Sequence, residues 1–324
     1  MTVRSPIRHS TIFKLAGVAF VAVLALSACG DDSTDSSSEP SPGTSSEQMG
    51  DLTVAAFNFG ESKILANMYA LVLDDAGYNA DVKELTTREV VAPALEEGKV
   101  DVVPEYIGTY TEYLNVRENG EGAKTLATTD PQDTLAALQP LANSVGVTVL
   151  EPSQAQDQNS FAVTADFAEQ NNLETLSDLG ALGGEYTLGG PPECPKRPFC
   201  QPGLEDTYGI NISEFKPLDT GGPLTKEAIS DGTVDIGLVF SSDGGIEDLG
   251  LKVLADDQNL QTADNVVPVM NTDAYSETAA SALNSISDVL TTDDLIALNN
   301  MVDIERKQPE EVAQTWLTDQ GLIS

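Results

Sequence analysis

One histidine, three cysteines and a large surplus of carboxylates set the chemistry open to this chain of 324 residues. The histidine, His9, lies in the N-terminal leader. The rest of the chain therefore has no imidazole for a Ser-His-Asp triad, a Cys-His pair or a zinc site. Cys194 and Cys200 are too few ligands for structural zinc, and in an exported chain they should pair as a disulfide closing a small loop. Carboxylates are abundant, with 52 Asp and Glu against 16 Lys and Arg and a net charge of −36. Two of them side by side would suit a glycosidase-type hydrolase. In so acidic a chain a neighbouring pair proves nothing, and a single tryptophan argues against a sugar-stacking cleft. No D-x-[DN]-x-[DN]-G loop is present to make a calcium site. No catalytic residue, metal or cofactor is expected, and the acidity reads as a solvated surface. It also excludes nucleic acid and an anionic membrane face as partners, because both need a basic surface.

Export is read from the first thirty residues. Arg4, Arg8 and Lys14 form a positive start, Ile12 to Leu26 is mostly apolar, and small residues lead to Cys29, in the order of a secretory signal peptide. The apolar stretch is short for a span of roughly 20 residues, which favours cleavage over a retained anchor. The ending Leu26-Ser27-Ala28-Cys29 resembles a bacterial lipobox. That resemblance implies a signal peptide over 1–28, cleavage before Cys29 and a lipid on its thiol. Without the leader, 13 basic residues face 52 acidic ones, a net −39. Residues 30–50 are Ser, Asp, Pro and Gly with almost nothing to bury, so 29–50 should be a lipidated, disordered tether. The folded part would then work outside the cytoplasm, on the outer face of the cell membrane.

The elements that must position any site alternate between short strands and amphipathic helices. Leu52 to Phe57 reads as a strand, and Glu61 to Ala76 as a helix with Ile64, Leu65, Met68, Leu71 and Val72 on one face. Ala80 to Leu85 and Val100 to Val103 are further strands, separated by a helix that Thr87 can cap and Gly98 ends. The alternation returns with strands at Phe161 to Thr164, Tyr186 to Leu188, Phe215 to Leu218 and Val234 to Phe240. After Val266 to Val269 come three helical patterns: Ser276 to Leu290, Thr292 to Ile304, and Pro309 to Leu322, the last with Pro in its first turn. Trp316 falls at core spacing on that last helix. Two α/β units with a helical tail predict two lobes, each with its own parallel sheet. Ligands of such sheets bind at strand carboxyl ends, so the cleft between the lobes is the expected site.

Three stretches resemble a known family. Gly98-Lys99-Val100-Asp101-Val102-Val103-Pro104-Glu105-Tyr106-Ile107-Gly108-Thr109 is similar to the G-x-x-D-x-x-P-E-Y-x-G-T segment of binding proteins for glycine betaine, choline and related osmoprotectants. Ser230 to Ile246 is similar to that family's G-x-V-D-V…S-T-D-G-x-I segment. Pro309-Glu310-Glu311-Val312-Ala313 with Trp316-Leu317 and Gly321-Leu322 resembles its closing helix. The resemblance spans essentially all of 52–323. It implies the solute-binding lipoprotein of an ABC importer, with a membrane permease and its cytoplasmic ATPase as partners. No heptad seam or long exposed apolar run suggests a dimer, so the folded module is expected to be monomeric. The implied fold is α/β, a two-lobed periplasmic-binding-protein-like fold of type II, with 51–156 plus 264–324 as one lobe and 157–263 as the other.

In such proteins a quaternary ammonium sits among aromatic faces, and a carboxylate is held by basic side chains and hydroxyls. Carried over position by position, the resemblance implies Tyr106 and Thr109 in the cleft, and Glu193 with Arg197 as a pair whose arginine grips a carboxylate. Departures concern the ligand. Phe57, followed by Asn58, replaces the first-strand lysine of betaine binders. In Asn159-Ser160-Phe161 the usual tyrosine is Phe161, Phe240 stands where tyrosine is common, and Asp264 takes the place of the last family tyrosine. The expected ligand set is thus Phe57, Asn58, Tyr106, Thr109, Asn159, Phe161, Glu193, Arg197, Phe240 and Asp264. The ligand itself stays open among betaine-like zwitterions, choline and an aromatic or neutral solute. An exported carboxylate hydrolase, or a sensor or adhesin that kept the fold, are the competing functions.

Overall fold

The computed structural model describes residues 49–246 and 249–324; the signal peptide, Cys29 and nearly all of the proposed tether lie outside the described residues. The chain starts with β1 (Asp51–Ala56), α1 (Gly60–Asp75), β2 (Asn79–Glu84), α2 (Arg88–Glu96), β3 (Val102–Tyr106), α3 (Ile107–Asn119), α4 (Pro131–Ser144) and β4 (Val147–Val149). It then builds β5 (Asn159–Thr164), α5 (Ala165–Asn171), α6 (Leu176–Leu182), β6 (Tyr186–Gly190), α7 (Gln201–Tyr208), β7 (Ile212–Pro217), α8 (Pro223–Ser230), β8 (Ile236–Phe240) and β9 (Leu251–Leu254). It closes with β10 (Val266–Asn271), α9 (Glu277–Ser287), α10 (Thr292–Asp303) and α11 (Pro309–Asp319).

Two five-stranded sheets result, ordered β2-β1-β3-β10-β4 and β7-β6-β8-β5-β9. They are mixed rather than purely parallel, which corrects the expectation from sequence. In the first, β10 runs antiparallel between β3 and β4; in the second, β5 runs antiparallel between β8 and β9. The reason is where each strand enters. The parallel strands of both sheets end at the cleft, and Val266, the first residue of β10, pairs with Tyr106, the last of β3. Asn159, the first of β5, likewise pairs with Phe240, the last of β8. A strand arriving from the opposite sheet enters at the cleft edge and can only run away from it.

Both faces of the first sheet are covered, so β1 and β3 read as nearly continuous apolar runs instead of alternating ones. One face packs on α1, α9, α10 and α11, and there Trp316 lies in the core and donates its indole N–H to Asp294. The other face packs on α2, α3 and α4, around Val103, Ile107, Tyr110 and Leu138. In the second sheet the cores form around Phe161, Leu176, Leu188 and Leu204 on one side, and Ile229, Val239 and Leu251 on the other. Buried strands set side by side leave their carboxyl ends as the free edge of each lobe, and these edges face one another.

Candidate functional site

A cavity of about 650 Å³, including its open mouth, lies where those edges meet. Its walls come from the end of β1 (Phe57, Phe59), the start of α2 (Thr87, Arg88), the β3–α3 junction (Tyr106, Thr109), the loop after β6 (Pro191, Glu193, Arg197) and the end of β8 (Phe240). Asp157 and Asp264 join from the two segments that cross between the sheets, each close before the strand it feeds.

The aromatic rings make one continuous group. Phe57 and Phe59 stack at 6.0 Å between centroids, Tyr106 lies 6.4 Å from Phe59, and Phe240 meets Phe59 at 5.5 Å from the facing lobe. Phe57 and Phe59 are two residues apart just past the end of β1, and their stacking places both rings on the same side. Tyr106 is buried and donates its hydroxyl to Glu61 Oε1 at 2.7 Å, so the ring rather than the hydroxyl is left to the cavity.

Around these rings stand buried charges. Arg88 is only 7 % exposed. It forms a bidentate pair with Glu105 at 2.8–3.1 Å and donates through Nη2 to Thr109 at 2.9 Å. Burial alone would favour the neutral guanidine, but Glu105 outweighs it and keeps Arg88 charged. Asp264 Oδ1 accepts the N–H groups of Gly108 and Thr109 at 2.8 and 3.0 Å, and so caps the start of α3 from 155 residues away. Burial still dominates there and lifts its carboxyl to about 7, against the lowering pull of those N–H groups and of Arg88. Asp157 is buried and has one long hydrogen bond, 3.4 Å from Ser242 N–H; burial and then neighbouring Glu61 push its carboxyl well up.

Polar contacts cross the cleft on two flanks. Arg197 Nη2 reaches Glu89 of α2 at 3.0 Å while also pairing with Glu193 at 3.2 Å in its own loop. On the other flank Ser242 donates to Glu61 Oε2 at 2.6 Å, and Asn299 of α10 donates to the same oxygen at 2.7 Å. Cys194 and Cys200 form the disulfide, and both line the cavity beneath the Arg197 loop.

Of the residues expected from sequence, Phe57, Tyr106, Thr109, Asn159, Glu193, Arg197, Phe240 and Asp264 are brought together here. Two are not. Asn58 is exposed and lines a neighbouring groove with Lys63 and Asp219, because the chain bends there between β1 and α1 and turns it away from the two stacked rings. Phe161 lies in the core of the second lobe, 1 % exposed, one strand repeat deeper than Asn159. Phe59, Arg88 and Asp157 were missed. Phe59 was legible as the next same-side residue after Phe57. Arg88 and Asp157 were not: the first is a lone arginine whose partner Glu105 is 17 residues on, and the second sits in a polar stretch without pattern.

Residues 50–319 match the family described as "Substrate binding domain of ABC-type glycine betaine transport system". The chain is 27% identical over 273 residues to the glycine betaine-binding protein YehZ of Escherichia coli K12, covering 81% of this chain and 88% of that one. It is 25% identical over 286 residues to a glycine-betaine-binding protein of Pseudomonas aeruginosa, covering 84% and 88%. A crystal structure of a glycine betaine/carnitine/choline ABC transporter protein aligns with a TM-score of 0.64 at 22% identity, over 84% of this chain and 100% of that one. That likeness shows the fold, two α/β lobes with a cleft between them.

Proposed function

Because the chain belongs to the family of substrate-binding domains of ABC-type glycine betaine transport systems, we propose that it captures a small quaternary amine or zwitterion between its lobes and hands it to a membrane permease driven by a cytoplasmic ATPase. The lobes would be 51–156 with 264–324, and 157–263. The observation that carries this reading is the cavity itself, in which rings from both lobes meet around buried carboxyls. A methylated cation is cheap to desolvate and is attracted by the faces of Phe57, Phe59, Tyr106 and Phe240. Asp157, with only one long hydrogen bond from Ser242 N–H, leaves carboxyl oxygen free to face the bound group.

Arg197 would act at the mouth, where it ties its loop to α2, and ligand would favour the closed state by its stronger contacts there. The leader and Cys29 support secretion and lipid anchoring to the outer face of the cell membrane, with the folded part a monomer. A second reading keeps the transport role and changes the cargo to an aromatic or neutral solute; the phenylalanines Phe57, Phe59 and Phe240, with no phenol hydroxyl, favour it.

A thermal-shift screen with quaternary amines, zwitterions, sugars and aromatic solutes separates these. A solute at about 100 times its dissociation constant adds roughly 2.7 kcal/mol. A shift with betaine, choline or carnitine supports the first reading. A shift with aromatic or neutral solutes alone moves the cargo to the second. Turnover of any bound solute would sink both, since a binding protein returns its ligand unchanged.

A further inference from the structure

We propose that Arg88 is the anion anchor of the cavity and selects solutes that carry a carboxylate, with Glu105 and Thr109 as its positioning residues. The assignment rests on the solute-binding reading above and deepens it. Nε and Nη2 of Arg88 are committed to Glu105 and Thr109, whereas Nη1 makes no hydrogen bond to any described residue. The side chain lines the cavity, and its guanidinium carbon lies 5.6 Å from the Phe57 ring centroid. A buried guanidinium needs an acceptor for each N–H. Glu105 and Thr109 take the three N–H groups of Nε and Nη2, and the two on Nη1 are left for an oxygen of the solute. A fork held on one edge by a carboxylate and a hydroxyl loses little freedom on binding, which is the condition for a selective contact.

The cavity's other guanidinium is less suited. Arg197 is shared between Glu89 and Glu193, one from each lobe, and its side chain is 29% exposed. An acid from each lobe already satisfies it, which fits a clasp better than a ligand anchor.

Glycine betaine and choline share a trimethylammonium group and differ in carboxylate against hydroxyl, so titration calorimetry with this pair reads the anchor directly. Wild-type protein should bind glycine betaine at least about 10-fold tighter than choline, the worth of one hydrogen bond to a charged group. Replacing Arg88 alone strands Glu105 in the interior and risks unfolding. The double variant Arg88→Gln/Glu105→Gln removes both charges together and should bring the ratio to within about 3-fold, mainly by weakening betaine. Arg88→Lys keeps the charge without the fork and should also lose betaine selectively. A folded double variant with the wild-type ratio, or a wild type that binds choline as tightly as betaine, overturns the assignment alone. Failure of the wild type to bind betaine, choline or carnitine overturns the solute reading, and the assignment with it.

Discussion

At the scale of single residues, the cavity is built from groups whose protonation and packing the fold controls. Asp264 is the sharpest case. A carboxyl in an unfolded chain titrates near 4, and burial raises this one to about 7. The folded state therefore holds the proton more firmly. Its contribution to stability is complete below about pH 4 and is lost as the pH rises through about 7. Asp264→Asn retains an oxygen for the Gly108 and Thr109 N–H groups but cannot ionise. Denaturant melts across this range should show a shallower fall in stability for the variant, and an unchanged slope would mean that Asp264 is not buried as found. Tyr106 separates wall from support. Tyr106→Phe keeps the ring and removes the hydrogen bond to Glu61, so stability should drop by about 1 kcal/mol with solute affinity nearly unchanged. Tyr106→Ala empties part of a core and should cost about 3–5 kcal/mol. It is consequently a poor probe of binding, although sequence alone makes it look like a simple cleft residue.

At the scale of elements, the β3–α3 junction shows why a short motif is tightly constrained. The strand ends at Tyr106 and the helix starts at the next residue, with Ile107 N–H bonded to Asn265 C=O and Asp264 capping the turn. A Cβ on Gly108 would stand 2.6 Å from the carbonyl oxygen of Ala263, so the crossing segment can lie against the helix only if this residue has no side chain. Gly108→Ala should lower the melting temperature and weaken solute binding together, because the same shift displaces Asp264 and Thr109; intact binding would show that the segment can yield. The neighbouring elements differ in how legible they were. The last helix starts at Pro309, as its missing N–H and preset φ require. The helix before it starts at Thr292 with its acids in the first turn, as read, and Thr291 just ahead of it is the cap, with Asp294 closing a capping box. Strand β4, three residues long, and β9, four, carry too few side chains for a period to show.

At the scale of the whole molecule, capture depends on two lobes meeting across a cleft, and the polar ties that join them are few. Arg197 to Glu89 is a part-exposed ion pair, worth about 0–1 kcal/mol to a folded protein. Arg197→Ala should accordingly leave the melting temperature without solute almost unchanged, while bound solute dissociates faster in stopped-flow release. A large loss of ligand-free stability would instead make this residue part of the lobe's framework. Local pattern by itself determined a good deal: the alternation of strand and helix, the aromatic and acidic residue types at strand ends, and the Cys194–Cys200 pairing. Each is set by neighbours within a turn or a strand. Tertiary structure decided the antiparallel entry of β5 and β10, the burial of Phe161, the outward turn of Asn58, and the burial and partners of Arg88 and Asp157. The physical reason is common to all of them. A residue's partners there lie on another element or the other lobe, as Glu105 lies from Arg88 and Ser242 from Glu61, and no local periodicity records which strand ends will face each other across a cleft.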